Sequence, residues 1–296
     1  MKQCILPLTV VIALYSCNGG DASKSKNASG ADSATASTQA LTLDATAAAD
    51  CMPDSILYLS ASNAQAMKND FKTTYVDVLT NSKRKFTVSS LVDAVVIQAF
   101  YKALSDAALG YDGVRVYYGA TNNKPAQSLF MLAPTMKALP GQNHPNVWGA
   151  VIAVTGNSFT NFNYTQSQAK PLIDTFLSKF KEQTDLNDET TAVNKGLSSG
   201  VWFQKCVFEK MKAFLDQHKA YQGFRLYAAS YPSAPVPAPV GYTYDHQSTV
   251  FWVPVDSSGA DRWDVLTASS QSQNEASATT YGGLNHGELC PRNCVP

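Results

Sequence analysis

The hydrophobic and polar positions of the chain follow one pattern twice, first from Tyr111 and again from Tyr221. The first copy reads YDGVRVYYGATNNKPAQSLFMLAP, and the second reads YQGFRLYAASYP and then, after a longer loop, QSTVFWVP. Each copy has a Gly, an alternating strand with Arg and Tyr, a loop, and a second strand that opens with Gln-Ser and ends at Pro. Because alternation with a period of two is typical of half-buried strands, each copy predicts an antiparallel hairpin.

A helical pattern precedes each hairpin. Residues 91–109 carry a broad apolar stripe, and Ser90 with Asp93 fits a capping box at the start of that helix. Residues 205–218 repeat the pattern before the second hairpin, and two amphipathic segments, residues 63–79 and 168–183, take matching places further upstream. Between the copies, residues 147–155 predict a strand of nearly continuous apolar character, and residues 157–165 predict a loop.

These elements predict an α+β fold with two related helix-plus-antiparallel-hairpin halves. A repeat of this length is too long for a solenoid and indicates a duplicated domain. The halves either fold alone or pool their hairpins into one sheet. The predicted organisation is a signal peptide (1–16), a disordered tether (17–50), a first half (51–140), a second half (141–266) and a Cys-containing tail (267–296).

Composition narrows the classes of partner. The chain has 296 residues, of which 45% are hydrophobic and 16% charged, so it can bury a sizeable core. Its 23 basic and 23 acidic side chains give a formal net charge of zero. Since no basic stripe stands out, we expect no nucleic acid as a partner.

The N-terminus has the features of an export signal. Lys2 precedes a short apolar run at residues 5–14, and then come Leu-Tyr-Ser-Cys17 and Asn-Gly-Gly. This resembles the lipobox of bacterial lipoproteins, which implies that Cys17 becomes the acylated mature N-terminus, with palmitate-type chains holding the protein on a membrane. The alternative is an ordinary secretory signal cleaved near Ser16, which leaves a free Cys17. Asn18 resembles the residue of lipoproteins sent to the outer membrane, in either leaflet.

Three further stretches resemble a known group. DGVRVYYG or QGFRLYAA, a strand that ends in VPVD, and the tail GLNHGELCPRNC are similar to uncharacterised lipoproteins of Bacteroidota, which carry a "GIRIYFG"-like strand and a "CPPNC"-like tail. Arg292 stands where that tail has a second Pro. The resemblance implies a fold pattern and a location and names no activity.

Two Arg-Tyr pairs are the candidate ligand-binding residues. Arg115 with Tyr117, and Arg225 with Tyr227, lie on the same strand face of each half because two residues separate the members of each pair. One interpretation makes them ligand clamps, for example for a carboxylate or a sugar. The other makes them a strand face packed under a loop, with each Arg paired to an acid.

The cysteines leave alternatives open. Cys290 and Cys294 are four residues apart in a chain predicted to be exported, so a small disulfide loop is feasible. A zinc site from His286 and these two cysteines is the competing interpretation, although its spacing is looser than that of common zinc knuckles. Cys206 falls on the apolar side of a predicted helix and is interpreted as a core residue.

No catalytic, nucleotide or metal motif is present in the sequence, so we predict no catalytic residue, no metal and no cofactor. The function predicted is that of a lipid-anchored exported protein of the cell envelope. It is a non-catalytic binding or structural module whose ligand is a peptide, a carbohydrate or a protein. The alternative is an envelope hydrolase with a site assembled from distant residues.

Overall fold

The computed structural model describes residues 58–80, 84–137, 144–155, 158–181, 197–232, 246–263, 265–267, 280–281, 283–284 and 288–290, all within the compact unit Ala48–Pro296. The helices are α1 (Ala61–Phe71), α2 (Asp77–Thr80), α3 (Ala94–Ser105), α4 (Gln166–Phe176) and α5 (Lys205–Gln217). The strands are β1 (Tyr58–Leu59), β2 (Ser89–Asp93), β3 (Tyr111–Ala120), β4 (Ser128–Met136), β5 (Val151–Thr155), β6 (Ser158–Tyr164), β7 (Gly200–Gln204), β8 (Tyr221–Ser230), β9 (Ser248–Asp256), β10 (Leu266–Thr267), β11 (Thr280–Tyr281), β12 (Gly283–Leu284) and β13 (Glu288–Cys290).

The predicted α+β class is confirmed, and both predicted hairpins form. They do not share a sheet. The first sheet has the order β1-β12-β9-β8-β2, and the second has the order β13-β7-β3-β4-β5-β6. A short pair, β10 and β11, stands apart. All strand pairs in the two large sheets are antiparallel.

The two halves exchange strands. The strand that leads into the helix of the first half, β2, pairs with β8 of the second half, and β7 pairs with β3 of the first half. The registers match, because Asp93 lies opposite Gly223 and Gln204 lies opposite Gly113. Each hairpin therefore has a neighbouring strand that comes from the other half, β2 beside β8 and β7 beside β3.

A glycine at the start of each hairpin permits this close approach. Both hairpins have a bulge before the glycine, between Tyr111 and Gly113 and between Tyr221 and Gly223. A Cβ at Gly113 would lie 2.4 Å from the carbonyl oxygen of Phe203, and one at Gly223 would lie 2.3 Å from that of Val92. Larger residues would therefore push the exchanged strand away.

The main core lies between the sheets and includes α3 and α5. It joins Val114 and Val116 of β3 to Leu226 of β8 and to buried residues of both helices. The outer face of the first sheet is covered by α1, where Met67 packs with Tyr227 and Phe251. The outer face of the second sheet is covered by α4, where Ile173 packs with Tyr117 and Met131. Both outer helices continue into a π-helical turn, Lys72–Val76 and Leu177–Lys181.

Two local predictions were wrong. Ser90 is not the helix cap; it lies within β2, and Asp93 caps α3 by accepting a 2.9 Å hydrogen bond from the Val96 amide. Pairing with β8 keeps residues 89–93 extended, so the helix starts later than its apolar stripe suggests. Most of the loop predicted at residues 157–165 is strand β6, which pairs with β5. Within the described ranges, no helix is both long and apolar enough to cross a membrane.

Candidate functional site

Each Arg-Tyr pair meets two side chains from the connection that follows its hairpin. The first clamp is Arg115, Tyr117, Asn146 and Trp148. The second clamp is Arg225, Tyr227, Asp261 and Trp263. Both lie on outer sheet faces, the first on the face covered by α4 and the second on the face covered by α1.

The two connections have the same backbone pairing. Asn146 bridges to Thr135 as Asp261 bridges to Val255. The amide of Val147 donates to the Pro134 carbonyl at 2.8 Å, and the amide of Arg262 donates to the Pro254 carbonyl at 2.8 Å. Because Thr135 and Val255 each pair with the bulge glycine of their own hairpin, Asn146 and Asp261 occupy equivalent positions. The clamps therefore differ by an amide in place of a carboxylate.

In the second clamp the acid binds both partners. Nε of Arg225 donates to Oδ1 of Asp261 at 2.7 Å, and the Tyr227 hydroxyl donates to the other oxygen. Nη2 of Arg225 donates to the Gly259 carbonyl at 3.1 Å. Burial raises the pKa of Tyr227 well above its ordinary value, and the hydrogen bond to the Asp261 carboxylate raises it further.

Aromatic and cationic neighbours cover the second clamp. The rings of Trp263 and Tyr227 are 5.6 Å apart between centroids, at 38°. Nζ of Lys68, from α1, lies 4.6 Å from the centroid of the Tyr227 ring and 5.5 Å from that of Trp263. This clamp is closed by its own acid, and it matches the packing interpretation of the Arg-Tyr pair.

In the first clamp Asn146 stands in place of the acid, and its amide makes a different set of hydrogen bonds. Nη1 of Arg115 donates to Oδ1 of Asn146 at 3.0 Å and to the Tyr117 hydroxyl at 3.3 Å. Nδ2 of Asn146 donates to the Tyr117 hydroxyl at 2.6 Å. The guanidinium can only donate, so the amide atom that faces it must be the oxygen, which fixes the amide orientation.

The remaining edge of Arg115 has no partner among the described residues. Arg115 is only 2% exposed, and its Nε is buried without a hydrogen-bond acceptor in this part of the chain. No carboxylate among the described residues lies within ion-pair distance of this guanidinium, and none of them supplies an acceptor to Nη2. A buried cation without a counter-charge is costly, as is an unmet buried donor, so this edge of the clamp calls for an acceptor.

Tyr117 adds to the excess of donors. Its hydroxyl accepts from Asn146 and from Arg115, which uses both lone pairs of the oxygen. The described residues offer no acceptor for its proton, whereas the proton of Tyr227 goes to Asp261. The first clamp therefore holds donors on both side chains that the second clamp satisfies with a single carboxylate.

An acid and an imidazole lie beside the first clamp. Oδ1 of Asp112 accepts from Thr135 at 2.8 Å, and Oδ2 lies 2.5 Å from Nδ1 of His144. The indole of Trp202 donates to Thr135 at 2.8 Å and stacks on the His144 ring at 3.9 Å. Trp202 stands directly opposite Arg115 in the exchanged strand β7, so the second half helps to build the surroundings of the first clamp.

Both oxygens of Asp112 are thus engaged, and the acid is not an ion-pair partner of Arg115. The side chains of Asp112 and His144 are 19% and 26% exposed, so this pair forms the partly solvated edge of the neighbourhood. An Asp that binds Nδ1 of a His fixes its tautomer and leaves Nε2 to face other groups.

A second acid-imidazole pair has a different role. Asp70 binds Nδ1 of His246 at 2.9 Å and also accepts from the hydroxyl of Ser230 at 2.5 Å. Ser230 is fully buried and gives its proton to the acid, not to the imidazole. In a hydrolase triad the Ser binds the His and the His binds the Asp, and this chain of hydrogen bonds is not formed by Ser230, His246 and Asp70.

The structure brings each predicted Arg-Tyr pair together and adds partners that the sequence interpretation missed. The sequence pattern that could have identified these partners is NVW at residues 146–148 and DRW at residues 261–263, each of which follows its hairpin. Asp112 and His144 are 32 residues apart and carry no spacing motif.

Of the other predicted site residues, Cys17 and Cys294 lie outside the described residues. Cys290 ends β13, opposite Gly200, and its pairing with Cys294 stays a prediction. Cys206, in the first turn of α5, is half-buried and disulfide-bonded, so it is not a free core thiol as interpreted; its partner is not among the described side chains. Within the described ranges, no group of three or more His, Cys, Asp or Glu is placed to hold a metal ion.

The chain was compared with protein-family models, with curated proteins and with solved structures, and it matches none of them.

Proposed function

We propose that this chain is an exported, lipid-anchored binding module of the cell envelope, and that its ligand binds at the first clamp. One observation carries the second part of this proposal. The Nε of Arg115 is buried without a partner in the part of the chain that the structure describes, whereas the equivalent Nε of Arg225 is 2.7 Å from a carboxylate oxygen. Two copies of one scaffold thus differ at the atom where a ligand would attach.

The second clamp is structural in this proposal. Its cation, its phenol and its acid satisfy one another within the chain. A binding site, in contrast, commonly gives up some stability in its empty state, because groups that wait for a ligand are left incompletely paired. The buried Arg115 without a counter-charge has that property.

The anchor part of the proposal is supported by the order of an apolar run, a lipobox-like Leu-Tyr-Ser-Cys17 and a polar tether. It is tested by growing cells that express the full chain with labelled palmitate. Label is expected on the unchanged chain and on Cys4→Ala, and not on Cys17→Ala. Label that persists in Cys17→Ala would contradict acylation at Cys17. Absence of label from all three chains would favour the ordinary secretory signal.

Binding at the first clamp is tested with the secreted chain, residues 17–296, carrying Cys17→Ser. A thermal-shift panel of small anions, cations and neutral sugars is read on this chain and on Asn146→Asp, which places the acid of the second clamp in the first. At least one probe should raise the Tm of the unchanged chain by about 2 °C or more and leave Asn146→Asp unmoved. Equal shifts in both chains would place binding elsewhere and contradict the proposal.

An envelope hydrolase is the second candidate, and the Asp112-His144 pair is the observation that favours it. The acid holds Nδ1 of an imidazole beside an arginine that could stabilise negative charge. No Ser, Thr or Cys among the described residues is hydrogen-bonded to His144, so a nucleophile would have to be water. Turnover of an ester or amide probe that is lost in His144→Ala, with unchanged folding, would establish this candidate.

A further inference from the structure

We infer that the first clamp takes a carboxylate of its ligand on the Nε and Nη2 edge of Arg115, an inference that rests on the proposed binding at this clamp. The second clamp supplies the guide. Asp261 shows which chemical group this scaffold places against the equivalent arginine edge. In the first clamp no described residue supplies that group, because Asn146 stands in its position, and we infer that a ligand brings it.

The geometry of a guanidinium gives the first argument. Nε and Nη2 lie on one edge with parallel N–H bonds, which match the two oxygens of a carboxylate. In the second clamp this edge is filled by Asp261 at 2.7 Å and by the Gly259 carbonyl at 3.1 Å. In the first clamp Asn146 and Tyr117 occupy Nη1 instead, and the matching edge has no acceptor within the described part of the chain.

The donor count gives the second argument. Among the described residues, the three N–H bonds of Nε and Nη2 of Arg115 meet no acceptor, and the Tyr117 hydroxyl adds a proton. A neutral sugar would bring hydroxyl groups and no charge, so the buried cation would stay uncompensated. An anion satisfies donors and charge together.

The second clamp decides between kinds of anion. A dianion such as phosphate would meet about twice the repulsion from Asp112 and about twice the attraction to Arg115 that a carboxylate meets, so charge alone does not choose. The carboxylate is chosen because Asp261 places that group against the equivalent arginine edge.

Access limits the shape of the ligand. Arg115 is 2% exposed, so a ligand has to present its carboxylate end-on and keep the rest of its structure outside. A free small acid and the C-terminal carboxylate of a peptide both meet this condition. Because protein atoms cover Nε, some local rearrangement accompanies binding, and association should be slower than at an open site.

The test is calorimetric titration of residues 17–296 carrying Cys17→Ser. The probes are sodium acetate, N-acetyl-Ala-Ala with a free carboxylate, the amide of the same peptide, acetamide and sodium sulfate. We expect binding of one equivalent of acetate or of the free peptide, and none of the two amides. Acetate alone identifies a small free acid as the source of the carboxylate, whereas tighter binding of the peptide identifies a chain end.

Two variants locate the binding. Asn146→Asp supplies an internal carboxylate and should weaken the binding of the carboxylate probe about tenfold or more, which corresponds to the loss of one charged hydrogen bond. Arg115→Lys removes the paired N–H donors of Nε and Nη2 but keeps the positive charge, and it should weaken binding by a similar factor.

The outcomes separate this inference from the proposed function. Sulfate binding that is lost in Asn146→Asp, without carboxylate binding, would overturn the carboxylate and leave a binding module. Carboxylate binding that is unchanged in both Asn146→Asp and Arg115→Lys would overturn the site. Absence of any binding sensitive to Asn146→Asp would overturn both, and would mean that a buried water completes Arg115.

Discussion

The first and second clamps have the same backbone, the same Arg-Tyr strand and the same covering tryptophan, and they differ at one position. Asp261 closes the second clamp with a carboxylate, whereas the first clamp has Asn146 there and no counter-charge for the buried Arg115 among the described residues. Since the exchanged strands hold both clamps in matched register, the backbone pairing around the two clamps is equivalent. Within the clamps, the difference is one oxygen exchanged for one NH₂ group.

In the function we propose, the duplicated scaffold separates stability from binding. The second clamp stabilises the fold with its own acid, and the first clamp is completed by the carboxylate of a ligand.

The largest expected effect on stability concerns the disulfide of Cys206. The halves also differ here, since the equivalent residue of the first half is Val95, which is 73% exposed. Cys290 lies opposite Gly200 in the sheet, and Gly200 is about 13 Å along β7 from Gln204, two residues before Cys206. The Cα atoms of a disulfide lie within about 7 Å of each other, so Cys290 is too far from Cys206 to pair with it. If Cys290 and Cys294 pair as predicted, and if Cys4 leaves with the signal peptide and Cys17 is acylated, Cys51 is left as the partner of Cys206. Cys51→Ser should then lower the unfolding free energy by about 2–5 kcal/mol.

Peptide mapping without reductant checks this pairing directly. A linked peptide that contains Cys51 and Cys206 is expected. A linkage of Cys206 to Cys294 would contradict both pairings at once.

Asp261→Asn should have the next largest effect. It leaves the Arg225 guanidinium, 15% exposed, and the Tyr227 hydroxyl without their acceptor. We expect the unfolding free energy to fall by about 2–3 kcal/mol in urea denaturation. Asp77→Asn is the matched control, since its ion pair with Lys72 is largely exposed and should contribute little. Equal losses in the two variants would show that the second clamp is not a structural centre.

Asn146→Asp should act in the opposite direction. The new carboxylate can bind Arg115 and accept the proton of Tyr117, and we expect a gain of about 1 kcal/mol in the absence of ligand. The gain is smaller than the loss at position 261 because ionising a partly buried acid has its own cost. A variant less stable than the unchanged chain would mean that Arg115 already has a sufficient partner.

The smallest effect is at alkaline pH. The pKa of Tyr227 is raised in the folded protein, so above about pH 10 the unfolded phenol loses its proton while the folded one keeps it. Stability from this residue is complete below that pH and is lost as pH rises further. Tyr227→Phe should flatten the decline of Tm above pH 10. A decline equal to that of the unchanged chain would assign the effect to other groups, such as Tyr118, whose pKa burial also raises.

The sequence predicted the parts of this site that repeat with a fixed spacing. The period of two in VRVYY and FRLYAA placed Arg115, Tyr117, Arg225 and Tyr227 on matching strand faces. It could not predict the exchange of β2 and β7, because pairing between halves leaves no periodic trace in either strand. Asn146 and Asp261 were missed because their roles depend on a bridge to the neighbouring strand, and turn residues of this type usually serve the backbone.

Whether the first clamp is open and the second is closed can be read most directly from the NMR resonances of the arginine Nε–H groups, of which the chain has five. Arg115→Lys and Arg225→Lys assign the two clamp signals. With a saturating carboxylate probe, the Arg115 signal should shift and its exchange with water should slow, while the Arg225 signal stays in place. An Arg115 signal that does not respond, or one that moves together with that of Arg225, would contradict a site open in the first half and closed in the second.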